Sequence, residues 1–242
     1  MTSDVYQTLR ERAIQLAKLN KWLHKTVHVR AKVLSTEEAI GNPEEKDFPL
    51  QKGKERLMEA TFDNCRGQAF TDRFGDFHGS LADALSDRFE NNYRRAVFVA
   101  TLNAMMRRLD LADRTIHCRD REPAQCAGEL VAYLGERHKG ARLAQIGFQP
   151  RMIEALSRKF PLRIIDLDPD NIGARRFGIT IEGAEANGDA VDWAEVLLVT
   201  GSTLVNGTIG SFLVGKPVIF YGTTIAGAAF LMGWERFCAL GH

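Results

Sequence analysis

Hydrophobic positions follow two different patterns along the chain. From Thr26 to Val33, Val27, Val29, Ala31 and Val33 alternate with Thr26, His28, Arg30 and Lys32, the period of a half-buried strand. Helical spacing precedes it from about Ser3 to Trp22 and returns from Asn92 to Leu109, where Val97, Thr101, Ala104 and Met105 share a face. Between them lie an acid- and proline-rich stretch, Glu37 to Pro49, read as a loop, and a hairpin. The hairpin pairs Leu57–Phe62 with Gln68–Thr71 across the polar turn Asp63 to Gly67. Ser80 with Asp83 three residues later predicts a helix N-cap. This half reads as α+β.

After Gly140 the apolar residues gather in short runs separated by helical segments, the signature of a parallel sheet with crossover helices. Strands are expected at Leu143–Gly147, Leu162–Leu167, Trp193–Thr200 and Pro217–Tyr221. Helices are expected at Pro150–Phe160, Thr208–Val214 and Ala226–Ala239. With right-handed crossovers, the fold class is α/β, a small Rossmann-like parallel sheet with helices on both faces, preceded by a smaller α+β domain. The expected division is residues 1–90 and 91–242, the second part including a leading helix.

Composition changes this picture in two places. The chain has 242 residues, 45% of them hydrophobic, with 32 basic and 31 acidic side chains and a net charge of +1. That balance argues against a general nucleic-acid binder, which needs a basic excess to neutralise phosphates. Locally it is uneven, since Val196 to Gly215 and Pro217 to Trp234 carry no formal charge. A membrane span is rejected for both runs, because Thr200, Gly201, Ser202, Asn206, Gly222 and Thr223 interrupt them. Each reads instead as a buried strand, a loop and a helix. The first 20 residues read as an amphipathic helix rather than a secretory signal, giving the expectation of a cytoplasmic protein. Cys65, Cys118, Cys126 and Cys238 are then expected as reduced thiols.

The strand ends carry the candidate chemistry. In order they present Gly147 and Gln149, then Asp166 and Asp168, then Gly201, Ser202, Thr203 and Asn206, then Gly222, Thr223 and Thr224. Glycine lets backbone approach a ligand, and helix N-termini offer unpaired N–H groups. In parallel sheets ligands bind beyond these ends. A carboxylate after the second strand is the group that bonds a ribose in dinucleotide folds, but Phe148 and Gln149 follow Gly147, so the full glycine fingerprint is missing. Turns of this kind also use such residues for capping alone; it is four in register that point to a ligand.

A second constellation is His117-Cys118 with Cys126. Pro123 predicts a helix start, which with Arg119 and Arg121 would make both thiols more acidic. Imidazole and thiolate suit a transition metal, zinc or iron, although seven residues between the cysteines match no zinc ribbon. Cys238 could complete such a site, but reads first as core. His78, Glu55 and Glu59 are further candidates, while His24, His28 and His138 read as surface residues.

The stretches Gly67-Gln68-Ala69-Phe70-Thr71-Asp72, Thr115-Ile116-His117-Cys118, Asp168-Pro169-Asp170-Asn171-Ile172-Gly173, Thr200 to Ile209 and Gly222 to Gly227 resemble the putative heavy-metal chelation family. The resemblance is clearest from about residue 90 onward. It implies a Rossmann-like fold, a first domain similar to the enolase N-terminal domain, and a link to heavy-metal or corrinoid metabolism. It implies no reaction, and His117, Cys118 and Cys126 lie outside what it carries over. The expectation is a small anionic or metal-bearing ligand in an interdomain cleft, cradled by the strand-end residues and oriented by Asp168 and Asn171. The partners are thus a small molecule or metal, with neither nucleic acid nor membrane, and a homodimer is expected. The alternatives are an enzyme using a nucleotide or S-adenosylmethionine, or a dimeric interaction module.

Overall fold

The structure is a computed structural model that describes residues 2–30, 36–41, 43, 47–48, 51, 55–86 and 88–242, with the side chains of 2, 3, 29, 30 and 36 excepted. The N-terminal half runs α1 (Thr2–Leu19), β1 (Thr26–Arg30), α2 (Thr36–Ile40), β2 (Arg56–Phe62), β3 (Cys65–Thr71), β4 (Phe77–Ser80), α3 (Leu81–Ser86) and α4 (Asn92–Arg108). Its four strands form an antiparallel sheet in the order β3-β2-β1-β4. The expected extension of the first strand to Val33 falls outside the described residues. A short helix, α2, occupies the start of the stretch read as a loop, where Glu37 and Glu38 suit a helix's first turn. The hairpin turn is tighter than expected, two residues long, with Asp63 and Asn64 both at positive φ (47° and 64°). This is the geometry that matches the twist of the flanking strands. At Ser80 the capping box closes: Asp83 Oδ2 accepts from the Ser80 amide at 2.9 Å, and Ser80 Oγ accepts from the Asp83 amide at 3.2 Å.

The C-terminal half runs α5 (Glu122–Arg137), β5 (Leu143–Ile146), α6 (Pro150–Ser157), β6 (Leu162–Ile165), β7 (Arg175–Arg176), β8 (Ile179–Glu182), α7 (Asn187–Trp193), β9 (Val196–Thr200), α8 (Ser202–Asn206), β10 (Val218–Tyr221), α9 (Ala226–Met232) and β11 (Arg236–Phe237). They build a seven-stranded sheet in the order β11-β10-β9-β5-β6-β8-β7, parallel except for the β7–β8 pair. The α/β class expected from the sequence is thus present. Alternate strand residues feed two cores. Ala144, Leu197, Val199 and Phe220 pack on one face with α4 and α9, whereas Leu143, Leu198 and Ile219 pack on the other with α5 and α6.

Several elements differ from the sequence reading, among them the strand expected from Trp193, which starts at Val196 because Trp193 ends α7. In place of the helix expected at Thr208–Val214 there is only a 3-10 turn at Ile209–Phe212, while a short helix, α8, occupies the preceding residues read as a loop and ends where Gly207 takes φ 79° in the left-handed region. The last helix stops at Met232, where Gly233 takes φ 69°, and an edge strand follows. The hairpin of β7 and β8 fills a segment to which no element was assigned.

Helix α4 lies between the two sheets, with every residue from Ala96 to Met106 buried. Its contact with β3 requires glycine at 67: a Cβ there would lie 2.2 Å from the Ala104 nitrogen and 2.5 Å from the Ala100 oxygen. One hydrophobic cluster consequently runs from Val5 and Met58 through α4 to Val199 and Phe220.

Candidate ligand-binding site

The chain builds β5, moves outward to β6 and β8, then returns to lay β9 on the other side of β5. At such a switch point the connections leave the sheet in opposite directions and open a crevice beyond the carboxyl ends. A cavity of about 510 Å³ lies there, within the range of small-molecule sites. Gly147, Gln149, Asp168, Asn171 and Gly201 line it, as do Ser202, Thr203, Asn206, Gly222, Thr223 and Thr224. His117, Cys118 and Cys126 line the same cavity from the α5 side, and Glu55, Phe70 and Asp72 reach it from the antiparallel sheet and its loops.

Local chemistry explains the shape of the lip. Gly147 sits at φ 97°, and a Cβ there would lie 2.7 Å from Thr200 Cγ2. Tyr221 seals the floor, its buried hydroxyl donating to the Ile146 and Gly147 carbonyls at 2.9 and 3.0 Å. Several residues read as ligand groups also serve the fold. Gln149 Oε1 caps α6 by accepting from the Met152 amide at 2.7 Å, and Thr203 Oγ1 donates to the Thr200 carbonyl at 2.7 Å. Thr224 Oγ1 accepts from the Phe70 amide at 3.2 Å, joining the two sheets. Asn171 is 2% exposed, and its amide donates to Asp166 Oδ2 at 2.8 Å. Thr223 differs: it is 2% exposed, yet its hydroxyl has no hydrogen-bond partner among the described residues.

Four acids line the cavity, Glu55, Asp72, Asp166 and Asp168, and no lysine or arginine does so among the described residues. Burial pushes Glu55 up to about 7, and the charges of Asp166, Asp168 and Asp72 add to it. Sequence reasoning named Asp166 as a strand end and Glu55 as a candidate, and met Asp72 only within the stretch Gly67–Asp72, without placing it beside the strand ends. It gave no role to Asn103, nor to Gln68 within that stretch; both position the site from below. Gln68 Oε1 accepts from the His117 amide at 2.8 Å, fixing that segment against β3. His78 and Glu59 do not reach the cavity; Glu59 instead accepts from Gln68 Nε2 at 2.8 Å.

The expected acidity of the two thiols is not found. Burial raises both Cys118 and Cys126, and neighbouring Cys238 adds to each shift. Cys126 sits in the second turn of α5, away from the first-turn amides, and the Arg119 guanidinium is engaged by the Glu37 carbonyl at 2.8 Å. Burial likewise pulls His117 down to about 4, leaving a neutral ring set edge-on to Phe70 with centroids 5.2 Å apart. All four cysteines are free thiols, as expected. No helix of the described residues is long and apolar enough to cross a membrane.

Residues 130–225 match the model of the DUF364 family, described as putative heavy-metal chelation. The resemblance read from the sequence is borne out. Two solved structures share the fold, both of DUF364 proteins of unknown function. One, from Pyrococcus horikoshii, has a TM-score of 0.56 at 14% identity, covering 91% of this chain and 79% of its own. The other, from Desulfitobacterium hafniense DCB-2, has a TM-score of 0.50 at 12% identity, covering 74% and 72%. No curated protein matches the chain significantly. The DUF364 description raises the question of a resident metal, and the donors here do not fit one. A closed site needs three or four converging ligands. Among the described residues no three of His, Cys, Asp and Glu are arranged to hold an ion. His117, Cys118 and Cys126 share a cavity wall, with the imidazole Nδ1 buried and without a hydrogen-bond partner among the described residues, and burial favouring protonated thiols.

Proposed function

We propose that this protein binds a small organic molecule in the crevice between its two sheets, at the carboxyl ends of β5, β6, β9 and β10. The observation that carries this reading is the convergence of four strand-end turns on one cavity of about 510 Å³ at the switch point of the sheet. Thr223 adds to it, because a buried hydroxyl without a partner among the described residues loses about 1–3 kcal/mol that a ligand can restore. A metal enters this reading as part of the ligand, carrying its own donors, which accommodates the DUF364 description without a preformed ion site. Asp168, beyond β6 and beside the Gly147 turn, favours a ribose-bearing ligand as a second reading.

The test is a thermal-shift screen of small metabolites against the wild-type protein and Ser202→Trp. Ser202 is half-buried on the cavity wall, so an indole there fills space without disturbing the core. A ligand at 100 times its Kd stabilises by about 2.7 kcal/mol, and that shift is expected to vanish in the variant. Shifts that survive Ser202→Trp would place binding elsewhere and defeat the reading.

A further inference from the structure

We propose that Cys238 and Cys126 are a redox pair on the wall of the ligand cavity, Cys238 the thiol that a hydroperoxide oxidises and Cys126 the thiol that closes the disulfide. The pair stands whatever small molecule occupies the crevice. Four strand ends announce the crevice in the sequence, and the edge strand β11 supplies a fifth. It runs parallel to β10, with Phe220 opposite Arg236 and Tyr221 opposite Phe237, so its carboxyl end opens on the same side of the sheet. Cys238 follows directly on that end, half-buried, and lines the cavity together with Cys118 and Cys126. Packing brings the second thiol alongside. Cys126 is buried in the cluster that holds Phe237, with Ala239 and Leu240 packed against it, so both neighbours of Cys238 in the chain surround Cys126. The Cys126 sulfur lies at the backbone amides of Ala239 and Leu240, the two residues after Cys238.

Cys238 itself meets the Arg236 guanidinium. That cation is held in place by donating to the carbonyls of Gly222, Asp113 and Arg114 at 3.0, 3.2 and 2.7 Å. Glycine at 241 leaves the thiol its room, since a Cβ there would lie 2.9 Å from Cys238 Sγ. The chemistry follows from these neighbours. The Cys238 sulfur attacks one oxygen of a hydroperoxide, the O–O bond breaks, and the other oxygen leaves with the electron pair and takes up the thiol proton. Arg236 stabilises the negative charge that builds on this leaving oxygen. The products are the sulfenic acid of Cys238 and an alcohol or water. The Cys126 sulfur then displaces the sulfenic hydroxyl, giving the disulfide and water, so the two thiols have been oxidised and the hydroperoxide reduced. Burial of Cys126 slows its reaction with external reagents but not its attack on a neighbour in the same cluster. The bond ties the second turn of α5 to the end of β11 on one wall of the cavity.

The experiment treats the folded full chain with hydrogen peroxide, blocks the remaining thiols with N-ethylmaleimide in denaturant and maps the peptides by mass spectrometry. A single disulfide is expected, Cys126 to Cys238, two hydrogens lighter than the reduced pair and reopened by dithiothreitol. In Cys126→Ser the sulfenic acid has no resolving thiol beside it, and dimedone is expected to tag Cys238. Cys65, half-buried on β3 and outside the cavity wall, is the internal control. Cys238 is expected to be oxidised about tenfold faster than Cys65, because a fixed cation lies against it. A disulfide joining Cys118 to either partner overturns the proposal, as does the absence of any disulfide or an equal rate at Cys238 and Cys65. The mapping of the wild-type chain decides the pairing by itself, so a Cys126→Ser variant that does not fold leaves the test intact.

Discussion

Asn103 and Gly227 are joined across the core of the molecule, the Gly227 amide donating to Asn103 Oδ1 at 2.8 Å. Through Nδ2 the same side chain reaches the carbonyls of Gln68, Thr223 and Thr224 at 2.9, 3.2 and 3.0 Å. One buried amide on α4 thus holds β3 and the turn after β10 in register, and with them two walls of the cavity. Asn103→Ala strands these partners in a dry interior, where each unsatisfied group costs about 1–3 kcal/mol. Urea unfolding is expected to show a loss of about 3 kcal/mol. A loss below a few tenths would mean that water replaces the amide.

Glu55 gives a signed pH dependence. Its carboxyl holds its proton to about 7 in the folded chain against 4.5 ordinarily. The stabilisation it provides is therefore complete below pH 4.5 and is lost as pH rises through 7. Glu55→Gln is expected to be more stable than wild type at pH 8, with a flatter stability profile between these values. Chemical denaturation at half-unit pH intervals measures it; an unchanged slope would show that Glu55 is solvated.

His117 acts with the opposite sign. Its ring is held neutral to about 4 against 6.5 ordinarily, so its contribution is complete above pH 6.5 and is lost as pH falls through 4. His117→Leu is expected to resist acid better than wild type over that window, read by circular dichroism. Equal acid midpoints would contradict the burial of the ring.

Gly147 and Gly222 both adopt φ above 90°, but their surroundings differ. A Cβ at 222 meets open space, while one at 147 collides with Thr200. Gly222→Ala is expected to cost about 1–2 kcal/mol from backbone strain alone. Gly147→Ala adds the steric conflict and is expected to cost more. Equal losses would show that the turn relaxes around residue 147.

Burial of Cys118 and Cys126 predicts slow chemistry. The thiolate is the nucleophile, and both thiols are raised above their ordinary value. Alkylation by iodoacetamide at pH 8, followed by peptide mass spectrometry, is expected to be much slower at these positions in the folded than in the unfolded chain. Fast labelling of Cys118 would restore a reactive-thiolate role.

Much of this architecture was legible because its signals are local. The apolar runs at Leu143–Ile146 and Val196–Thr200 announce buried parallel strands, and their trailing Gly, Ser and Thr residues mark where a ligand face must be. What was hidden is non-local. Asp72, in the loop after β3, reaches a cavity whose floor is residues 146–149 and 221–224, and no spacing in the sequence announces that meeting. Asn103 sits in a helix buried on every side, so its pattern gave no polar face to single out. The thiols misled for the same reason: a proline-led helix start signals a dipole, but only packing decides whether a cysteine beside it is solvated or buried.

The central claim, a small-molecule site rather than a metal centre, is tested most directly by native mass spectrometry with metal analysis of the protein as purified without a histidine tag. The expected result is one organic adduct of a few hundred daltons per chain, absent from Ser202→Trp, with any metal accompanying that adduct. A bare transition metal at one equivalent, retained in Ser202→Trp and lost in Cys118→Ser, would contradict it.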